Sequence, residues 1–168
     1  PARIIFQKGV RSLSKLSENV EGKNSLLAKL LCNWATREWK LKDLTVAMRL
    51  CTEALDVDPQ NPFVLTLAGK ISVQSGKHEV ARQLFQKAIA ADRQFMPALQ
   101  AWGRMEAQLN RMEIARKVFQ SAYISEPDSQ YILQAWAHAE ATAPSGNLAR
   151  ARELYAECVA KHPTCRAA

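Results

Sequence analysis

Ala81-Arg82-Gln83-Leu84-Phe85-Gln86-Lys87-Ala88-Ile89 and Ala115-Arg116-Lys117-Val118-Phe119-Gln120-Ser121-Ala122-Tyr123 are two copies of one nonapeptide. An Ala leads, a basic residue follows, an apolar pair comes next, and a small residue stands seven places after the Ala. Three further copies start at Ala2, Ala47 and Ala151. Successive leading Ala residues are 45, 34, 34 and 36 residues apart. A period near 34 is the mark of helix–turn–helix units stacked into a solenoid, and it argues against a buried catalytic pocket.

Within each copy the Ala, the residue four later and the small residue share one helical face. Pro59, Pro127 and Pro163 lie twelve residues after their Ala and end their helices. Arg93 stands at that place in the remaining complete copy. A first helix precedes each of the last four copies, marked by Leu31-x-x-Trp34-x3-Glu38, Leu99-x-x-Trp102-x3-Glu106 and Leu133-x-x-Trp136-x3-Glu140. In the fourth, Leu65, Ala68 and Ser72 take these places. Small residues follow the Trp position, at Ala35, Gly69, Gly103 and Ala137, and allow close approach within a hairpin.

The reading predicts helices over 1–14, 26–40, 43–56, 62–75, 78–91, 95–109, 112–125, 129–142 and 147–161. Asn61-Pro62 reads as an N-cap followed by Pro at the first helical position. Gly76, Asn110 and Gly146 fall in hairpin turns, and residues 17–24 form a longer polar loop. The fold class is all-α, a right-handed α-solenoid. Residues 1–168 read as a single repeat domain, an excerpt of a longer protein. Its units are about 1–16 (second helix only), 26–58, 62–92, 95–126 and 129–163.

The chain is 48% hydrophobic and 23% charged, an ordinary soluble composition with material for a sizeable core. No apolar run is long enough to span a membrane. The net charge of +7 permits an anionic partner without requiring one. The four Cys form no CxxC pair and stand at no metal-ligand spacing from His, so no metal site is expected. Cys51 and Cys158 take repeat positions otherwise held by Phe, Tyr, Ala or Gly, and read as small buried thiols of a reducing, intracellular compartment. No nucleophile–base or paired-carboxylate arrangement stands out, so no enzyme, cofactor or small-molecule substrate is expected. His78, His138 and His162 share no repeat position and read as surface residues.

The Ala, aromatic, Ala and Pro positions resemble the tetratricopeptide repeat. Trp with Glu four residues later (Trp34/Glu38, Trp102/Glu106, Trp136/Glu140), and Ala-Arg opening the second helix (Arg3, Arg82, Arg116, Arg152), resemble its relative, the half-a-tetratricopeptide (HAT) repeat. The 47–55 copy departs with Met48, and the 62–91 unit departs with Ser72. HAT repeats are known mainly from RNA metabolism: splicing and 3′-end-processing scaffolds, ribosome-biogenesis factors, and chloroplast factors that stabilise messenger RNAs. The phrase Leu133-Gln134-Ala135-Trp136-Ala137 resembles the chloroplast group. That resemblance implies an RNA-processing factor binding single-stranded RNA in a chloroplast or other organelle, with the nucleus as the alternative. The competing reading is a protein–protein scaffold within an RNA-processing complex.

Trp34, Trp102, Trp136, Phe85, Phe119, Tyr155, Ala81, Ala115 and Ala151 are assigned to the repeat core, with base-stacking as the alternative for the Trp residues. Trp39 lies off that stripe and is expected to be partly exposed. Glu106 with Arg116, and Glu140 with Arg152, are expected to link the two helices of one repeat, the alternative being phosphate contact by the Arg side chains. The first helices should line the concave face. Lys70, Arg104 and His138, with Thr36, form one column there; Gln100 and Gln134, with Cys32 and Thr66, form a second; Lys40, Gln74 and Gln108 form a third. Lys and Arg suit phosphates and Gln suits base edges, so these columns are the candidate RNA-binding groove, or else an ordinary solvated face.

Overall fold

The computed structural model describes residues 2–15 and 22–163. The described residues form nine α-helices: α1 (Ala2–Ser14), α2 (Lys23–Lys40), α3 (Leu44–Val57), α4 (Pro62–Gln74), α5 (His78–Ala91), α6 (Met96–Gln108), α7 (Met112–Ser125), α8 (Gln130–Thr142) and α9 (Leu148–Lys161). Each lies where the repeat pattern predicts it. The main difference is α2, which starts at Lys23 just after Gly22, whose φ of +80° is the left-handed conformation that glycine adopts readily. The predicted loop is shortened accordingly, and its residues 17–21 lie outside the described residues, as does Cys165.

The contacts divide the chain into two compact units, 1–92 and 93–168, where the sequence reading takes a single repeat domain. In the first unit, α2/α3 and α4/α5 are antiparallel hairpins and α1 packs on α2. In the second, α6/α7 and α8/α9 are hairpins. First helices pack on first helices, α2 on α4 and α6 on α8, and the second helices α3 and α7 pack on the first helix that follows, α4 and α8.

Local chemistry sets the helix ends. Asn61 caps α4, its Oδ1 accepting from the backbone N–H of Phe63 at 3.1 Å and of Val64 at 3.2 Å, with Pro62 opening the helix. Asp43 accepts from Val46 N at 3.3 Å and Asn147 from Arg150 N at 3.1 Å. The α6–α7 turn passes through Asn110 at φ +57°.

The core of the first unit gathers Leu31, Trp34, Leu50, Cys51, Val64, Leu67 and Ile71, and that of the second Phe119, Leu133, Trp136, Leu154 and Cys158. Phe85 and Phe119 are fully buried, as are Ala81 and Ala115; Ala151 is nearly so. Trp102 and Tyr155 are only half-buried. At two of the four hairpins, the small residue after the Trp position is demanded by the aromatic of the partner helix. A Cβ on Gly69 would stand 2.5 Å from the Phe85 ring, and one on Gly103 would stand 2.6 Å from the Phe119 ring. The glycines therefore let the aromatic reach the hairpin axis.

Candidate functional site

The candidate features are two: a latch repeated at the seams between repeats, and the exposed face of the first helices. The latch begins with the Trp-x3-Glu motif. Residues four apart on a helix stand one above the other. Trp34 Nε1 donates to Glu38 Oε1 at 2.8 Å, Trp102 Nε1 to Glu106 Oε1 at 2.9 Å, and Trp136 Nε1 to Glu140 Oε1 at 3.1 Å. Glu38, Glu106 and Glu140 are essentially inaccessible to solvent. A buried carboxylate requires compensation. For Glu140 it comes from Arg116, whose Nε and Nη2 each donate at 2.8 Å, and from the backbone N–H of Asn147 at 2.9 Å. For Glu38 it comes from Arg3, with Nε at 2.8 Å and Nη2 at 2.5 Å; the same Nη2 also reaches Asp43 at 3.0 Å.

These pairs correct the pairing expected from sequence. Arg116 lies on α7 and Glu140 on α8, so the bridge joins one repeat to the next rather than the two helices of one repeat. Arg116 does not pair with Glu106, and Arg152 does not pair with Glu140. Arg152 is exposed and makes no hydrogen bond or ion pair with any described residue. The physical reason is direction. The Arg follows the inward-facing Ala by one residue, about 100° round the helix, which turns it toward the following hairpin.

The aromatics follow the same seam. Phe6 stacks on Trp34 with centroids 5.9 Å apart and planes at 5°, and Phe119 stacks on Trp136 at 6.2 Å and 15°. Tyr123 meets Trp136 edge-on at 6.5 Å, and the Arg150 guanidinium lies 5.2 Å from the Trp136 ring centre. Tyr123 also donates to Glu157 at 2.6 Å. Arg3 is the leading influence on Glu38 and holds its carboxyl below the usual range. Burial pushes Glu140 upward, but the donors Arg116, Trp136 and Asn147 outweigh it and hold this carboxyl low as well.

The α3–α4 seam lacks all four partners. Met48 replaces the Arg, Cys51 the aromatic, Ala68 the Trp and Ser72 the Glu. Ser72 Oγ is buried there with no hydrogen-bond partner among the described residues. Burial pushes the Cys51 thiol up to about 12, assisted by Cys32. This joint replacement was the signal for the true pairing. Met48 shares its own hairpin with Trp34 and Glu38, which are intact, whereas the following hairpin has lost both.

The columns assigned to the first helices divide between the two units. In the second, Arg104, Gln108 and His138 line one cavity of about 280 Å³ between α6 and α8, with Ala143 and Pro144 also in its lining. No acidic side chain lines it. Arg104 and His138 are exposed, and neither side chain has a hydrogen-bond or ion-pair partner among the described residues. Gln100 donates to Tyr131 O at 3.3 Å, and Gln134 is half-buried. In the first unit Lys40 and Gln74 are exposed, and Trp39, half-buried, donates to Gln74 Oε1 at 2.7 Å. Lys70 is half-buried. Thr66 is buried, with its hydroxyl unpartnered among the described residues, and does not face a groove. His78 and His162 are half-buried rather than surface residues, and His162 Nε2 approaches Asp128 O at 2.6 Å.

The basic excess is local. Residues 1–42 carry nine Lys or Arg (Arg3, Lys8, Arg11, Lys15, Lys23, Lys29, Arg37, Lys40, Lys42) against Glu18, Glu21 and Glu38, which is six of the seven excess positive charges. A running count of charge along the chain would have found this. The total alone, read as support for a basic groove, did not.

Paired antiparallel helices at a 34-residue period define an array of helix–turn–helix repeats. The tetratricopeptide repeat family model matches residues 38–109. No curated protein matches the chain. The first TPR of Spaghetti (RPAP3), solved bound to the HSP90 peptide SRMEEVD, superposes with a TM-score of 0.62 at 21% identity, covering 77% of this chain and 100% of that one. A tetratricopeptide repeat protein from Parabacteroides merdae ATCC 43184 gives 0.69 at 20% identity, covering 94% and 60%. MamA gives 0.70 at 13% identity, covering 97% and 92%. At these identities the likeness is one of fold. The expected class, an all-α array of helix–turn–helix repeats, is the fold these structures share. The match is to the tetratricopeptide type and does not extend to the narrower HAT or chloroplast resemblance.

Proposed function

We propose that this protein is a non-catalytic binding scaffold that holds an acidic segment of a partner protein between α6 and α8, at the cavity of Arg104 and His138. One observation carries the reading: a cavity of about 280 Å³ that presents an exposed Arg104 and His138, with Gln108 beside them and no acid in its lining. A guanidinium without an internal partner is suited to a carboxylate, which it can meet with two parallel hydrogen bonds. The neighbouring Ala107, Ala139 and Pro144 offer apolar surface for the segment's backbone and aliphatic groups. The similarly folded first TPR of Spaghetti was solved with a peptide that is itself acidic, SRMEEVD.

Fluorescence anisotropy tests this with a labelled acidic peptide and, in parallel, a labelled single-stranded RNA of matched charge. The acidic peptide should bind saturably, and Arg104→Glu should weaken it by about tenfold or more. Failure of the peptide to bind, or equal binding by Arg104→Glu, overturns the reading. Binding of the RNA alone, lost in Arg104→Glu, would transfer the cavity to nucleic acid.

A further inference from the structure

The seam latch has two halves. The second helix of one repeat supplies an Arg and, three residues later, an aromatic; the first helix of the next supplies a Trp and, four residues later, a Glu. Both halves are present and joined where α1 meets α2 and where α7 meets α8. Both are absent where α3 meets α4, at Met48, Cys51, Ala68 and Ser72.

α9 carries the donor half, Arg152 and Tyr155. Its flanking positions also match those of α7. Met112 and Tyr123 of α7 are 3% exposed and half-buried, whereas their counterparts Leu148 and Val159 on α9 are 62% and 43% exposed. Leu148, Arg152 and Val159 thus repeat, uncovered among the described residues, positions that α7 places at its seam with α8. Glu153 does not neutralise Arg152, because it pairs with Arg150 at 2.8 Å.

We propose that this face of α9 is a docking surface for a partner helix that presents a Trp and, one turn later, a Glu. The Glu carboxylate receives the Arg152 guanidinium, the indole stacks on Tyr155, and the helix covers Leu148 and Val159. The surface is separate from the Arg104 cavity, so neither proposal depends on the other.

The probe is a labelled, covalently stapled peptide of the sequence 130–142, which carries Trp136 and Glu140, added to the intact chain. Saturable binding is expected. Arg152→Glu should weaken it by about tenfold or more, while circular dichroism stays unchanged, since Arg152 is exposed and makes no hydrogen bond or ion pair with a described residue. A peptide with Glu140→Arg should bind the Arg152→Glu protein better than the parent peptide does. Absence of saturable binding to the unsubstituted protein, or equal affinity of the two proteins for the parent peptide, overturns the proposal.

Discussion

Arg116 grips Glu140 across the boundary between two repeats, and not Glu106 in its own hairpin. The ion pair therefore joins neighbouring repeats rather than the two helices of one hairpin. Removing it should be felt along the array. Arg116→Ala leaves the Glu140 carboxylate buried with only neutral donors, at a cost of about 2–3 kcal/mol, toward the lower end for a buried pair because the guanidinium is partly exposed. Arg152→Ala, the same change on α9, should shift stability by less than about 0.5 kcal/mol. Urea unfolding of both variants checks the contrast.

The α3–α4 seam should accept a latch only when both halves arrive together. Ser72→Glu alone places an uncompensated carboxylate in a buried position and should cost about 3 kcal/mol or more. Adding Met48→Arg should recover about 1–3 kcal/mol of that loss. A double-mutant cycle measures the coupling; additive effects would mean that Met48 does not face Ser72 as Arg116 faces Glu140.

Acid should loosen the latched seams. Glu38 and Glu140 ionise below the ordinary range when folded. Their contribution is complete above the unfolded-state value of about 4.3 and is lost as pH falls through the lower folded value. Stability should therefore fall below about pH 4. Arg116→Ala, already without one of these contributions, should show a shallower fall, measurable by urea titrations at stepped pH.

Gly103 should resist its usual improvement. Ala is favoured over Gly inside a helix by about 1 kcal/mol. Here the new Cβ would press on the Phe119 ring, an overpacking cost of about 1–3 kcal/mol. Gly103→Ala should destabilise the protein, and the sign should reverse when Phe119→Leu makes room. Thermal unfolding of the two backgrounds decides it.

Local order was the most legible part of the sequence. The Ala-to-Ala period, the Pro stops and the Asn61 cap placed the helices, because these signals act within a few residues. The glycines after the Trp position were also readable, since their aromatic partners lie in the same hairpin. The partner of each Arg was harder. Glu106 lies ten residues before Arg116 and Glu140 twenty-four after it, so proximity in sequence favoured the wrong acid. What decides is the rotation of the Arg position about the helix axis, visible in sequence only through the joint loss at Met48 and Ser72. The groove columns were legible as periodic positions, but periodicity did not reveal that Thr66 turns inward while Arg104 and His138 share a cavity.

The hairpin of α4 and α5 faces its two sides differently. Toward α3 it offers Ala68 and Ser72, which match Met48 and Cys51; on its other side it carries Arg82 and Phe85, the latched type. Gly69 is further committed to Phe85. The two helices of this hairpin thus carry repeat positions of two different kinds. Duplicating it in tandem would set Arg82 of the first copy against Ser72 of the second. Two hairpins of the same 34-residue period are therefore not interchangeable, because the residues at their seam positions differ.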